Sequence, residues 1–256
     1  MSGTRVRVVL IIAGLDPSAG AGILADARVA AEHGVRAVGV VTATTVQDTH
    51  GVRSATPLAP DEIEEALGVL LSDVEVDAVK IGMLGDARTA EVVARALAAT
   101  RAPVVWDPVL LPSRGGVPLL TGDVGQAARA LLPEARLCTP NLAEAEILSG
   151  IRAVDEEGMR AAATAIDAEA VLVKGGHLPG DRALDLLRDG AHFTRFDGPR
   201  TDAGPLHGTG CVLSTAIACR LAQGATVVQA VGDAKAYLGT KLAAPVFAGR
   251  GARCLV

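Results

Sequence analysis

Aromatic rings are scarce in this sequence: one tryptophan (Trp106), one tyrosine (Tyr237) and three phenylalanines (Phe193, Phe196 and Phe247) among 256 residues. Proteins that hold single-stranded nucleic acid stack bases on such rings, so a stacking platform is excluded. Positive charge is not in excess either. The chain carries 24 lysines and arginines against 29 aspartates and glutamates, interspersed, for a net charge of −5. That balance leaves no basic face to track a phosphate backbone and no polybasic segment for a membrane surface, so neither nucleic acid nor membrane is expected as a partner. Cysteine is limited to positions 138, 211, 219 and 254. None forms a Cys-x-x-Cys pair and no histidine stands at ligand spacing, which excludes a zinc site and a disulfide framework and points to a reducing, cytoplasmic setting. Long apolar runs are missing as well. The stretch Val8 to Gly14 is far shorter than a membrane span and closes in Gly-Leu-Asp-Pro rather than a small-residue cleavage site, so it reads as a first buried strand.

Half of the residues are hydrophobic, enough for one substantial α/β core, and residues 1–256 are expected to form a single domain. Apolar runs at Val6 to Ala13, Ala37 to Thr42, Ala78 to Ile81, Val104 to Trp106 and Ala170 to Val173 read as buried strands. Between them lie helical stretches at Ala21 to His33, Pro60 to Ser72, Ala87 to Ala99, Gly125 to Leu132, Leu142 to Ser149 and Glu156 to Ile166. This alternation predicts βαβ units around a mostly parallel sheet. Ala183 to Arg188 and His192 to Phe196 flank an Asp-Gly turn and predict a late β-hairpin. Two last helices are expected from about Gly210 to Ala222 and Val227 to Leu242. Ligands of such sheets bind beyond the carboxyl ends of the strands, and several of these ends are polar or glycine-rich.

Leu206-His207-Gly208-Thr209-Gly210-Cys211 opens an apolar helix. Its glycines allow backbone amides to face an anion where the helix dipole also favours negative charge, although a glycine-rich turn before a core helix has the same appearance. No Walker A pattern occurs anywhere in the chain. Cys211, in the first helical turn, is placed where a dipole lowers a thiol pKa, so it is expected to reach the thiolate near neutral pH and to accept a proton; a small packed cysteine is the alternative. The first strand ends in Ala13-Gly14-Leu15-Asp16-Pro17-Ser18-Ala19-Gly20-Ala21-Gly22, a loop that a substrate can approach closely. Asp107 follows a strand and suits Mg²⁺ or phosphate chemistry, or a turn. Asn141 and Glu144 read either as a capping box or as groups serving a nucleotide-bound Mg²⁺. Lys174 ends another strand, beside two glycines, where it can neutralise phosphate charge or simply reach solvent. Together these groups are what phosphoryl transfer needs.

The ordered segments AGLDPSAGAG, VQDTHGV, KIGML, DPV, TPNLAEAE, VLVKGGHL and HGTGC, from about Val8 to Tyr237, resemble the hydroxymethylpyrimidine and phosphomethylpyrimidine kinases of thiamine biosynthesis, within the ribokinase-like superfamily. The GTGC element is the most telling, since sugar kinases of that superfamily have aspartate at the position of Cys211. The resemblance implies a three-layer α/β/α fold, MgATP as phosphoryl donor, and stepwise phosphorylation of 4-amino-5-hydroxymethyl-2-methylpyrimidine to the mono- and diphosphate. It implies that Gly14, Asp16, Gln47, Met83 and Val109 line the pyrimidine site, the Gln47 amide pairing with the ring edge. It assigns Asn141, Glu144, Lys174 and His207 to ATP, and Asp107 with Glu144 to the metal. Gly208, Thr209 and Gly210 would cradle the phosphoryl group and Cys211 would take the hydroxyl proton. A homodimer is implied too. The chain departs from the family at Pro205-Leu206, where a hydroxyl is usual, at Ser113-Arg114, where a Lys-Ser-Gly element is usual, and at Asp48, where asparagine is common. A pyridoxal or pyridoxine kinase is the alternative within the same chemistry, and a non-catalytic ligand-binding relative is the alternative outside it.

Overall fold

A computed structural model describes residues 5–98, 100–111, 117–176, 178, 182–200, 204 and 206–256. Eleven strands and eight helices are found among them: β1 (Val8–Leu15), α1 (Gly22–Glu32), β2 (Arg36–Asp48), β3 (Gly51–Pro57), α2 (Pro60–Asp73), β4 (Ala78–Ile81), β5 (Gly85–Asp86), α3 (Ala87–Leu97), β6 (Val104–Trp106), β7 (Leu120–Thr121), α4 (Val124–Leu131), β8 (Leu137–Cys138), α5 (Leu142–Ser149), α6 (Glu156–Ala165), β9 (Ala170–Gly175), β10 (Arg182–Asp189), β11 (His192–Pro199), α7 (Thr209–Ala222) and α8 (Val227–Ala243). Nine strands form one sheet in the order β11-β10-β9-β8-β6-β4-β1-β2-β3, and β5 pairs with β7 apart from it. The pairs from β2 across β1, β4, β6 and β8 to β9 are parallel. The β2–β3, β9–β10 and β10–β11 pairs are antiparallel.

β1 shows how the layers arise. Its side chains alternate across the sheet, as strand geometry requires. Leu10 and Ile12 enter one core with α2, α3, α4, α5 and α6, while Val9, Ile11 and Ala13 enter another with α1, α7 and α8. Both faces are therefore covered by helices, which is why a central parallel strand reads as an unbroken apolar run. The result is the three-layer α/β/α arrangement with a late hairpin, β10–β11, whose Asp189 pairs with His192 across Gly190 in a left-handed conformation.

The strand and helix expectations hold to within a few residues, with four further strands. β2 runs on to Asp48 and turns back through β3, a pair whose half-exposed side chains interrupt the apolar pattern. β8 spans two residues, and β5 and β7 are equally short, too short for periodicity to register. The parallel strands all point their carboxyl ends to one edge, where Gly14, Gln47, Met83, Asp107, Asn141 and Lys174 emerge.

Candidate active site

Backbone rungs set the polar side chains along this edge. Gly82 N–H donates to Ile12 O, Asp107 N–H to Ile81 O, Thr139 N–H to Trp106 O, and Lys174 N–H to Pro140 O. Each strand end is thereby fixed to its neighbour, and the side chains that follow converge on Asp107. Its carboxylate, 2% exposed, accepts from Lys174 Nζ at 2.7 Å, Thr139 Oγ1 at 3.0 Å and Ser214 Oγ at 3.3 Å. Burial pushes its pKa up, but the ammonium groups of Lys174 and Lys80 and these hydrogen bonds outweigh burial and hold it below the usual carboxylate range. Lys174 is shifted upward in turn, since burial is overcome by Asp107 and Glu144.

Glu144 closes the helix start as well as facing this cluster. Its Oε2 accepts from Asn141 N–H at 2.8 Å while Asn141 Oδ1 accepts from Glu144 N–H at 3.0 Å, so the capping box is real. Burial raises the Glu144 pKa to about 7, the Asp107 charge adds to the rise and Lys174 opposes it. A buried carboxyl in that condition suits an incoming cation, which would favour its ionised form. The start of α7 comes close to this cluster at Gly210, where a Cβ would lie 3.3 Å from Lys174 Nζ and 3.4 Å from Asp107 Oδ2. No group of three or more candidate metal ligands occurs among the described residues, and Mg²⁺ held with a nucleotide commonly uses one or two carboxylates with water and phosphate oxygens. The residues present fit that group.

The other half of the site lies over β1 and β2. Asp16 accepts from Ser18 N–H and Oγ at 2.8 and 2.7 Å and from Ala21 N–H at 3.0 Å, which ties the loop after β1 to the start of α1. His207 Nε2 lies 2.8 Å from Asp16 Oδ2 and 2.8 Å from Gln47 Nε2. Burial raises the Asp16 pKa, but the bonds from His207 and Ser18 prevail and hold it low. The carboxylate is ionised, so the ring N–H points to Asp16. The Gln47 amide nitrogen approaches the same ring nitrogen, and its oxygen accepts from Thr45 Oγ1 at 3.3 Å. Below this group Met83 and Val109 pack with Ala43 and Leu119, and Gly14 faces Met83, whose Sδ would be 2.9 Å from a Cβ at that position. Asp48 is turned outward instead, its carboxylate accepting from His50 N–H and from Arg53.

His207 thus meets Asp16 and Gln47, two residues that the sequence reading gave to the pyrimidine, whereas it gave His207 itself to ATP. The expected thiolate is also corrected. Burial pushes the Cys211 thiol up to about 11, with Asp26 and Asp107 adding to the rise; Lys80 and the Gly22 N–H pull it down without prevailing. Desolvation outweighs the helix terminus, so Cys211 rests as a thiol. Ser113 and Arg114, His177 and Pro205 lie outside the described residues.

Sequence reasoning missed Thr139, Ser214, Lys80, Asp26 and Thr215. The first two are hydroxyls that complete the Asp107 shell, and a hydroxyl in a helix or turn gives no local signal. Lys80 and Asp26 form an ion pair at 2.6 Å with both side chains fully buried, and Thr215 Oγ1 donates to Asp26 at 2.7 Å. A lysine within an apolar strand and an aspartate on the inner side of an apolar helix were the available signals.

The family described as phosphomethylpyrimidine kinase matches residues 16–255. A hydroxymethylpyrimidine/phosphomethylpyrimidine kinase of Streptomyces coelicolor is 42% identical over 234 residues, covering 90% of this chain and 87% of that protein. Among solved structures, pyridoxal kinase from Staphylococcus aureus in complex with AMP-PCP is 32% identical with a TM-score of 0.88, covering 98% of this chain and 93% of that one. Phosphomethylpyrimidine kinase from Clostridium difficile 630 is 31% identical with a TM-score of 0.78, covering 92% and 99%. With a match over nearly its whole length and a curated relative above forty per cent identity, the chain belongs to the phosphomethylpyrimidine kinase family.

Proposed function

We propose that this chain, as one domain, phosphorylates the hydroxymethyl group of 4-amino-5-hydroxymethyl-2-methylpyrimidine with ATP, and then the resulting monophosphate to the diphosphate. The observation that carries this reading is the convergence, at one sheet edge, of a charged group around Asp107 and Lys174 with an amide-bearing pocket around Gln47. The first suits a nucleotide's phosphates, the second an aminopyrimidine edge. Gln47 offers an amide with N–H donors and a carbonyl oxygen, and Gly14, Met83 and Val109 form the apolar wall for a ring. Asp16 orients His207 and through it the amide.

Asp107 and Glu144 would hold Mg²⁺, which supplies charge neutralisation on the phosphate oxygens. Lys174 neutralises phosphate charge, and Asn141 positions Glu144 through the cap. The amides of Gly208, Thr209 and Gly210, at the start of α7, receive the negative charge of the transferred group. Cys211 accepts the hydroxyl proton. Because its sulfur rests protonated, only the minor thiolate fraction, whose proton has gone to water beforehand, can take the hydroxyl proton; in a loose transition state the attacking oxygen keeps its proton until late, so alignment contributes more than basicity.

Pyridoxal kinase is the second reading, favoured by the high TM-score to the Staphylococcus aureus enzyme. The protein works as a homodimer in the cytoplasm on either reading; no helix among the described residues is long and apolar enough to cross a membrane. The test is product mass after incubation with MgATP and, separately, the hydroxymethylpyrimidine, its monophosphate and pyridoxal. Diphosphate from both pyrimidines is the expected result; phosphorylated pyridoxal alone would overturn it. Cys211→Ala at full turnover would remove the proton acceptor.

A further inference from the structure

The tip of the β2–β3 hairpin is gripped by the segment that follows α8. β3 is the last strand of the sheet and half exposed along its length, and the tip of such an edge hairpin opens easily unless something holds it. Thr49, between Asp48 at the end of β2 and Gly51 at the start of β3, is nonetheless only 8% exposed. Its hydroxyl accepts from Gly251 N–H at 2.9 Å, and its carbonyl accepts from Ala252 N–H at 2.7 Å. Glycine at 249 and 251 permits this approach: a Cβ at 249 would be 2.6 Å from Thr49 Oγ1, and one at 251 would collide with the Thr49 carbonyl. The gripping loop is closed on itself, since Val246 and Cys254 exchange two backbone hydrogen bonds at 2.8 and 2.9 Å. Leu255 anchors it in the core shared by α1, α7 and α8.

The same loop holds the partner of Gln47. Arg253 O accepts from His207 N–H at 2.9 Å, and Leu206 bridges to Arg253 in parallel register. Gln47 stands two residues before Thr49, and its amide nitrogen is 2.8 Å from His207 Nε2. The two side chains that meet are therefore set by adjacent residues of one piece of chain, Ala252 on the Gln47 side and Arg253 on the His207 side. The strand ladder does not do this alone, because its register shifts between Val46 and Gln47, and a bulged strand bends at such a point. We propose that Thr49 is a positioning residue for pyrimidine recognition, gripped by the loop from Val246 to Cys254 so that the Gln47 amide stands ready against His207 before the ring arrives. The inference rests on Gln47 as the residue that reads the ring. Where the tip opens, the competent fraction falls and the apparent affinity falls with it, while the groups around Asp107 and Lys174 keep their own contacts.

Thr49→Val keeps the shape of the side chain and removes the acceptor of the Gly251 N–H. Loss of one such hydrogen bond changes an equilibrium by roughly threefold to tenfold, so KM for the hydroxymethylpyrimidine should rise by that factor while kcat and KM for ATP stay at their wild-type values. Thr49→Ser, which restores the hydroxyl, should return KM to wild type. Hydrogen exchange without ligand, followed by peptide mass, should be faster over residues 43–52 in the valine variant and unchanged in the serine one. Gly249→Ala, at an exposed position, presses its Cβ on the same hydroxyl and should raise KM in the same way; it decides if Thr49→Val does not fold. Faster exchange with an unchanged pyrimidine KM overturns the proposal. So does a fall in kcat with a rise in both KM values that serine does not relieve, the mark of a merely structural residue. Gln47→Ala separates the two readings: an unchanged pyrimidine KM in that variant sinks the assignment of Gln47 to the ring, whereas exchange at the wild-type rate in Thr49→Val sinks the grip on the hairpin.

Discussion

Around Asp107 three donors from three elements, Thr139, Lys174 and Ser214, meet on one carboxylate that water scarcely reaches. Around Gln47 the polar groups are an amide and an imidazole whose carboxylate partner is already engaged by its own loop. The first arrangement is closed and electrically balanced by a single cation, so removing one member exposes the others to an unsatisfied charge. The second is open to exchange, since the amide can trade one neutral partner for another at small cost. The difference separates the two proposed tasks: phosphate chemistry needs fixed charge, while recognition of a ring needs donors whose partners can be exchanged when the ligand arrives.

Lys174→Met strikes the comparison hardest. It leaves Asp107 buried without its cation, which should cost about 3–5 kcal/mol in denaturant unfolding and lower kcat at least about a hundredfold. A loss confined to KM for the pyrimidine would erase the distinction between the halves. Gly14→Ala should act on the recognition side alone. Its Cβ would press on the Met83 sulfur, and overpacking of about 1–2 kcal/mol corresponds to a pyrimidine KM roughly tenfold higher or more, with the KM for ATP unchanged in steady-state kinetics.

Glu144→Gln is the subtlest change. The folded chain raises this carboxyl from an ordinary 4.5 to about 7, so the folded state binds the proton more tightly than the unfolded one. The resulting penalty is absent below pH 4.5, grows as pH rises through that interval, and is complete above about 7. Glutamine keeps the capping box and removes the charge. Without nucleotide at pH 8 the variant should therefore melt a few degrees higher, the gain disappearing at pH 4.5 in a pH series of melting curves, while turnover falls.

Much of the frame was legible in the sequence because β1, β4, β6 and β9 are buried on both faces and announce themselves as apolar runs. β3 was not, because its side chains are half exposed on an edge. The site was legible where a strand ends in a polar motif, as at Asp107, Asn141 and Lys174. It was illegible where tertiary packing decides the chemistry. His207 adjoins Gly208 in sequence, yet the contact of the Gly20 and Gly208 loops carries it across to Asp16. Cys211 satisfies the local rule for an acidic thiol, but burial under α1 reverses the sign. Lys80 and Asp26 are 54 positions apart, and nothing in either segment names the other.

The contact between Gly20 and Gly208 bears on how this chain can change over generations. Gly208 holds a left-handed conformation, and a Cβ there would collide with the Gly20 carbonyl, a backbone atom that no second substitution can trim. Drift at 208 is therefore closed to ordinary compensatory mutation, and the loops after β1 and before α7 must be inherited as a unit. On the proposed assignment of the site, new substrate preferences have to arise at side chains that can be exchanged singly, such as Gln47, Met83 and Val109, leaving the place of phosphoryl transfer where it was.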